Sequence, residues 1–453
     1  MRITDLNRKG GIGSNSLLVE IGNFKLVVDA GLHPKYAGPE AIPDFSRLAD
    51  IALDCVIVTH CHLDHIGGLP VLLKQHKEAK VFMSRSNSML LERMLHNSCN
   101  VMKRQKAEMN IEEYPLFTHE DIDDIGQRFI PVEYQAPLKL ESGGETLEIT
   151  FHKAGHVAGA VGFELKHNGR KIFFTGDVLF TPQRILPGAK FPGNVDFDTI
   201  VTETTRGETE TNPNKTRQAE VDRLIAAVKN TLERGGSVLI PVFALGRMQE
   251  ILSIINDARK ADKFLRTPVF AAGLGLDICN YFDQISKRTG DIKFTRKVIK
   301  ELQLRRPPRK LVPGKELKEQ GIYVLSSGML VGHTPSYMMA STLMHSDRNS
   351  IFFVGYCDPD TPGGKLMEKE PGDTFTFEVI DYETKIRAQI ERFELSGHAN
   401  REELLEFALQ ANPKNVILTH GDQGARDWFA KELKAADPEL NVIDPQPLET
   451  YEL

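Results

Sequence analysis

The feature that most constrains this chain is a short apolar run, Cys55 to Val58, that breaks off into Thr59-His60-Cys61-His62-Leu63-Asp64-His65-Ile66-Gly67-Gly68. Four residues able to ligate a metal fall within six positions, at what reads as the end of a buried strand. Gly67-Gly68 turns the chain, and Leu69-Pro70-Val71-Leu72-Leu73 reads as a helix start with proline in its first turn. Histidine is scarce, 14 of 453 residues. Chance assembly of His-x-His-x-Asp-His is therefore on the order of one in a thousand for a chain this long. Alternate side chains of an extended segment share a side, which puts His60, His62 and Asp64 together, and His65 follows where the chain turns. Neutral imidazole suits zinc, and a carboxylate compensates charge. One ion could not comfortably take all four donors from so short a loop, so two ions are expected. The same alternation points Cys61 away from the metals.

The pattern of a β run ending in a polar ligand beside glycine recurs. Ser16–Ile21 and Phe24–Val28, joined through Gly22-Asn23, read as a hairpin whose second arm ends in Asp29-Ala30-Gly31. Asp29 caps the following turn or hydrogen-bonds the metal-site histidines from behind. Leu147–His152 leads to His156, Lys171–Phe174 to Asp177, and Ile200–Thr202 to Glu203. Any one of these residues alone reads as a structural cap. Gathered on one rim they complete a two-metal site, which is how α/β folds build active sites. Met83 to Met109 reads as a helix. From about residue 206 the texture becomes alternating helix and strand: a helix over 215–233, strands over 236–242, 268–271, 322–325 and 351–354, and a helix opening after Phe243-Ala244-Leu245-Gly246-Arg247. Two late signals, Ser396-Gly397-His398-Ala399-Asn400 and a strand Asn415–Leu418 ending in Thr419-His420-Gly421-Asp422, return to the earlier pattern. One domain interrupted by another is expected.

Composition excludes several classes. Apolar residues make up 41% and charged residues 26%, ordinary values for a soluble globular protein. The net charge of −6 gives no global attraction for nucleic acid, so such binding needs a local basic patch. Five scattered cysteines without a C-x-x-C pair argue against a disulfide framework or a thiolate zinc site and fit a reducing compartment. Neither an N-terminal apolar segment nor a membrane-spanning run is present, so a cytoplasmic location is expected.

With His-x-His-x-Asp-His, His156, Asp177 and His420 in place, the chain resembles the metallo-β-lactamase superfamily. Glu203-Thr204-Thr205-Arg206-Gly207, the Ser-Gly-His-Ala-Asn around His398 and the Thr-His-Gly around His420 are similar to the three additional motifs of its β-CASP branch, nucleases related to the mRNA 3′-end cleavage endonuclease. Val238-Leu239-Ile240-Pro241-Val242-Phe243-Ala244-Leu245-Gly246-Arg247, Ser326-Ser327-Gly328 and Phe353-Val354-Gly355-Tyr356-Cys357-Asp358 resemble signatures of the β-CASP insertion. The resemblance implies an αββα metallo-β-lactamase sandwich (residues 1–205 and 386–453) interrupted by an inserted α/β β-CASP domain (206–385). It implies two Zn2+ per chain: His60, His62 and His156 on one, Asp64, His65 and His420 on the other, Asp177 bridging both, and Asp29 behind them. Asp64, Asp177, Glu203 and His398 would serve catalysis, with Glu203 and His398 beside the leaving group. In this branch a histidine at the last motif goes with RNA substrates, so His420 points to RNA. Where the family often has Glu-Ser-Thr-Tyr-Gly this chain has Thr204 and Arg206, and Asn400 stands where an aspartate is usual.

The expected function is hydrolysis of RNA phosphodiester bonds, endonucleolytic, from the 5′ end, or both, in RNA processing or decay. The alternatives are a related hydrolase acting on DNA or on a small ester or thioester, and an inactive scaffold. The large insertion argues against a small substrate, His420 against DNA, and the complete ligand set against a scaffold. A basic run, Lys293, Arg296, Lys297, Lys300, Arg305, Arg306, Arg309 and Lys310, reads either as a solvated face or as a wall for the RNA backbone. Arg247 and the Ser326-Ser327-Gly328 turn are candidate phosphate contacts. RNA is the expected partner, and a second copy of the chain or RNA-processing proteins remain open as others.

Overall fold

The structure, a computed structural model, describes residues 1–193, 195–212 and 215–453. Two compact units emerge. One comprises Met1–Pro182, Pro187–Thr211 and His398–Leu453, and the other Gln183–Leu186 and Asn212–Gly397.

The first unit holds two sheets of seven strands each among the described residues. In the first sheet Leu17–Ile21 and Phe24–Val28 form the expected hairpin, and Phe24–Val28, Cys55–Ile57, Lys80–Ser84 and Phe129–Val132 follow in parallel. In the second, Glu145–Lys153, Val161–His167 and Arg170–Phe174 form an antiparallel meander. The parallel strands Thr199–Glu203 and Asn415–Thr419 extend it. Period-2 patterning decides what lies between the sheets. Leu26, Val28, Cys55 and Ile57 from one sheet meet Ile149, Phe151, Phe163, Leu165, Ile172 and Phe174 from the other. On the outer face of the second sheet, Phe173, Ile200, Val416 and Leu418 pack with Leu404, Ala408, Phe429 and Leu433, contributed by the helices Arg401–Gln410 and Gln423–Ala436. Helix, two sheets and helix make the αββα sandwich.

The second unit carries a five-stranded parallel sheet in the order Val269–Ala271, Ile322–Leu325, Val238–Pro241, Ser350–Phe353, Gln389–Arg392. Helices such as Arg217–Glu233 and Arg247–Lys260 connect the strands, as parallel crossovers require. No helix among the described residues is long and apolar enough to cross a membrane.

Two sequence expectations need correction. The helix placed from Met83 begins at Arg85, because Lys80–Ser84 pairs in the sheet and Ser84 caps the helix, its hydroxyl accepting from Asn87 N at 3.1 Å. The metal loop is also not extended throughout. Leu63–Ile66 closes a helical turn in which Ile66 N donates to His62 O and Gly67 N to Leu63 O.

Asp5, at the end of the strand Arg2–Asp5, carries a pH signature. Burial pushes its carboxyl up to about 7, against the opposing pull of Asn7 N–H and Arg426. A folded value above the unfolded value of 3.8 means that the folded chain holds the proton more tightly. The stability it contributes is full below pH ~4 and is lost as pH rises through about 7. Asp5→Asn should therefore be more stable than the wild type at pH 8, by up to ~4 kcal/mol at 1.36 kcal/mol per pKa unit, and no more stable at pH 4. Thermal midpoints at the two pH values check this.

Candidate metal centre

Five residues of the site, Asp29, His60, Asp177, Glu203 and His420, end or follow a strand. Asp29 follows Phe24–Val28 and His60 follows Cys55–Ile57, neighbours in parallel with Val28 opposite Ile57. Asp177 follows Arg170–Phe174. Glu203 ends its strand opposite Thr419, and His420 comes next. Parallel strands finish on the same edge, so one rim collects all of these side chains.

His60 Nε2 and His156 Nε2 each lie 3.1 Å from His62 Nδ1. Three imidazoles bound tetrahedrally at 2.0–2.1 Å stand roughly 3.3 Å apart, so this trio fits a zinc ion. A second group comprises Asp64, His65 and His420, with His420 Nε2 at 3.2 Å and His65 Nε2 at 3.7 Å from Asp64 Oδ2. Asp177 faces both groups. Its Oδ2 is 3.6 Å from His60, 3.8 Å from His156 and 3.5 Å from His65, and its Oδ1 is 3.4 Å from His420.

The groups behind these ligands fix which nitrogen faces the centre. Asp29 Oδ2 accepts from His65 Nδ1 at 2.7 Å, which leaves Nε2 as the ligating atom. Asp29 is itself held by Thr59, whose N and Oγ1 donate at 2.8 and 2.6 Å. Thr205 Oγ1 gives its proton to Glu203 Oε2 at 2.5 Å and meets His420 Nδ1 at 2.8 Å, so that nitrogen carries the hydrogen and Nε2 turns to Asp64. Asp29→Ala should lower zinc affinity roughly 10- to 100-fold, measured by competition with a chromogenic chelator.

Beside the centre, His398 Nδ1 lies 2.8 Å from Glu203 Oε2, and its ring sits 4.4 Å from that of His156. Glu203 is buried and accepts Val178 N at 2.6 Å.

Three sequence profiles match in chain order. The metallo-β-lactamase superfamily covers residues 10–211, the β-CASP domain 248–366, and the Zn-dependent metallo-hydrolase RNA specificity domain 383–443. The chain belongs to the β-CASP branch of the metallo-β-lactamase superfamily. It is thereby a member of a family of metal-dependent hydrolases that hold divalent metal. The chain is 28% identical to Integrator complex subunit 11 of Gallus gallus over 96% of its own length and 71% of that protein. It is 28% identical to the transcription termination factor FttA of Methanocaldococcus jannaschii (96% and 69%) and 26% identical to the endoribonuclease YSH1 of Saccharomyces cerevisiae (96% and 57%). It thus spans 57% to 71% of the length of these relatives. A crystal structure of a protein of unknown function from Enterococcus faecalis V583 shares the fold, with a TM-score of 0.54 at 12% identity over 100% of this chain and 99% of that one. The expected fold, a metallo-β-lactamase domain with an inserted β-CASP domain, is borne out.

Electrostatics in this β-CASP chain follow from burial among mixed charges. Burial drives His60 well below the usual imidazole range, so it stays a neutral donor. Burial also opposes charge on His65, but Asp177, Asp29 and Asp64 outweigh it and hold the ring well above that range. Burial raises Asp64, yet His65, His420 and His62 outweigh it and bring the carboxyl to about 2. For His398 burial favours the neutral form, and Glu203 reverses this by charge and hydrogen bond.

The candidate phosphate contacts belong to the second unit. Arg247 is buried, not presented to a phosphate. Its guanidinium donates to Leu395 O at 2.9 Å and to Gln183 Oε1, because the start of helix Arg247–Lys260 packs inward. Ser326 and Ser327 are half-buried and Gly328 is buried. The turn spends polar groups on itself: Ser336 donates to the carbonyls of both serines, and Ser327 Oγ accepts from Val331 N. The basic run, by contrast, is exposed at all eight positions. Asn400 caps the helix Arg401–Gln410, its amide oxygen accepting from Glu403 N at 2.8 Å. Asn15, Thr59 and Thr205 are the site residues that sequence reasoning passed over. Asn15 Nδ2 lies 3.2 Å from His65 Nε2 and donates to Asp64 O at 3.3 Å. Their signal was adjacency to motif residues.

Proposed function

We propose that this chain is a zinc-dependent ribonuclease that cuts RNA endonucleolytically in RNA processing or decay. The observation that carries the reading is the pair of buried Glu203 and half-buried His398 set against two clusters of imidazole and carboxylate donors. Small-molecule hydrolysis at zinc needs no such pair, whereas a departing ribose oxygen needs a proton. The names of two relatives, a transcription termination factor and an endoribonuclease, support RNA as the substrate, as does the RNA specificity profile over His398 and His420.

His60, His62 and His156 would hold one zinc and Asp64, His65 and His420 a second, with Asp177 between them. Two such ions supply a hydroxide at neutral pH and neutralise charge on the phosphate. The chain's own residues do the rest. Glu203, fixed by Val178 N–H and Thr205, keeps His398 protonated and oriented. His398 then gives its proton to the leaving oxygen and recovers it from solvent. We assign the metal chemistry to segments 1–205 and 386–453 and part of the RNA contacts to the insertion 206–385, where the exposed run Lys293–Lys310 offers a wall for the backbone. Subunit names among the relatives favour RNA-processing proteins as partners. Five buried, free cysteines favour a reducing compartment such as the cytoplasm.

The test is metal analysis followed by incubation with 5′-labelled RNA and matched DNA, with and without chelator. Discrete RNA fragments that vanish with chelator are expected. A zinc-loaded protein that leaves RNA intact would overturn the proposal, mononucleotide products would replace endo by 5′-exo action, and preferential DNA cutting would reassign the substrate.

A further inference from the structure

One large aromatic side chain stands exposed in the first unit. Tyr36 is 40% exposed, on the loop that leaves Asp29. The loop is rigid where it starts. Leu32 N donates to Leu63 O, and a Cβ at Gly31 would lie 1.8 Å from Asp64 O. It therefore abuts the backbone of the residues that carry the second ligand group. His33, buried at 6% exposure, packs its ring 4.4 Å from that of Tyr36, and Gly13 presses on His33 so closely that a Cβ there would meet Cδ2 at 2.1 Å. The tyrosine thus stands on an immobilised base with an open face outward.

Two exposed cations flank it, Lys35 in the same loop and Lys9 in the loop 8–13. Lys9 Nζ lies 6.0 Å from the ring centroid, the outer limit of a cation–π contact. The lysine is exposed and must swing aside before a planar ring can stack on the tyrosine at about 3.5 Å. The same loop runs on to Gly11, where a Cβ would lie 3.0 Å from Asp422 Oδ1, two residues beyond His420. The platform is therefore tied at both ends to the loops of the second ligand group.

We propose that Tyr36, backed by His33 and flanked by Lys9 and Lys35, is a stacking subsite for one unpaired nucleobase of the RNA, with an adjacent phosphate held by Lys9. Aromatic faces between lysines are what single-stranded nucleic acid uses, because every base has a π face and every linkage a charge. The inference rests on the ribonuclease reading above and adds a residue that selects single-stranded substrate. His33 and Gly13 are positioning residues for Tyr36.

Single-stranded RNA cleavage by the zinc-loaded full chain tests it. Tyr36→Ala should raise KM on the order of ten-fold or more, with kcat within about twofold, and with zinc content and thermal midpoint unchanged. Tyr36→Phe and Tyr36→Trp should restore KM. An abasic nucleotide walked along the RNA should reproduce the loss at one position near the cut, where Tyr36→Ala then adds nothing. Lys9→Ala should reduce the slope of log KM against log salt by about one. If Tyr36→Ala leaves KM within twofold on RNA that the wild type cleaves, or if phenylalanine fails to rescue it, the subsite is wrong. If the wild type cleaves no RNA, the ribonuclease reading fails instead.

Discussion

Replacing His398 with alanine is expected to slow RNA cleavage roughly 10²- to 10⁴-fold, the usual contribution of a positioned general acid, while zinc content stays at the wild-type level. The two halves of this expectation have separate origins. The rate falls because the proposed donor is the ring that the buried Glu203 carboxylate keeps in place: Glu203 Oε2 is 2.8 Å from His398 Nδ1. The metals stay because the two ligand groups and Asp177 are complete without His398. Glu203→Gln should follow the same pattern with a smaller loss, since the amide still meets His398 but no longer favours its charged form. The decisive measurement is zinc by atomic emission alongside single-turnover rate. Loss of zinc in His398→Ala would make it a ligand and remove it from the proton-donor role.

The second large effect concerns how zinc divides between the two groups. His156→Ala should hold about one ion per chain in place of about two, because only the His60–His62–His156 trio loses a donor. His420→Ala should also hold about one, and the remaining ion should be the other one. The double variant should hold little zinc. Activity should fall to near background in each case, since a two-ion clamp cannot work with one ion. Substituting cobalt and reading its d–d bands distinguishes an environment of three imidazoles with Asp177, retained in His420→Ala, from the one of two imidazoles with Asp64 and Asp177 retained in His156→Ala. Equal loss of both ions in both single variants would mean that the groups form one inseparable cluster through Asp177.

What could be read from residues alone was the punctuation of strands. His60, Asp177, Glu203 and His420 stand where an apolar run ends, and parallel strands bring such ends together whatever the connections do. What could not be read was local backbone choice. Asp64 looked like the continuation of a strand, with His65 at the turn after it, yet the chain already curls at Leu63 and its amides bond within the turn. The conclusion that His60, His62 and Asp64 converge survives on different grounds. Arg247 shows the opposite failure. A glycine-arginine step at a helix start resembles a phosphate cradle, and only tertiary packing reveals that the guanidinium is spent on Leu395 O. Thr205 was invisible for another reason: a hydroxyl that orders two ionisable neighbours leaves no periodicity behind.

The order in which the chain supplies its ligands has a consequence for assembly. His420 meets Asp64 across 356 positions and His398 meets Glu203 across 195, with the second unit emerging in between. Contacts of such span form late, because the intervening chain must first become compact before closure is cheap in entropy. A chain extended only as far as residue 397 has the His60–His62–His156 trio, Asp177, Asp64 and His65, but lacks His420 to complete the second group and lacks His398. Both the second ligand group and the proposed proton donor are therefore completed only when residues 398–420 join the first unit.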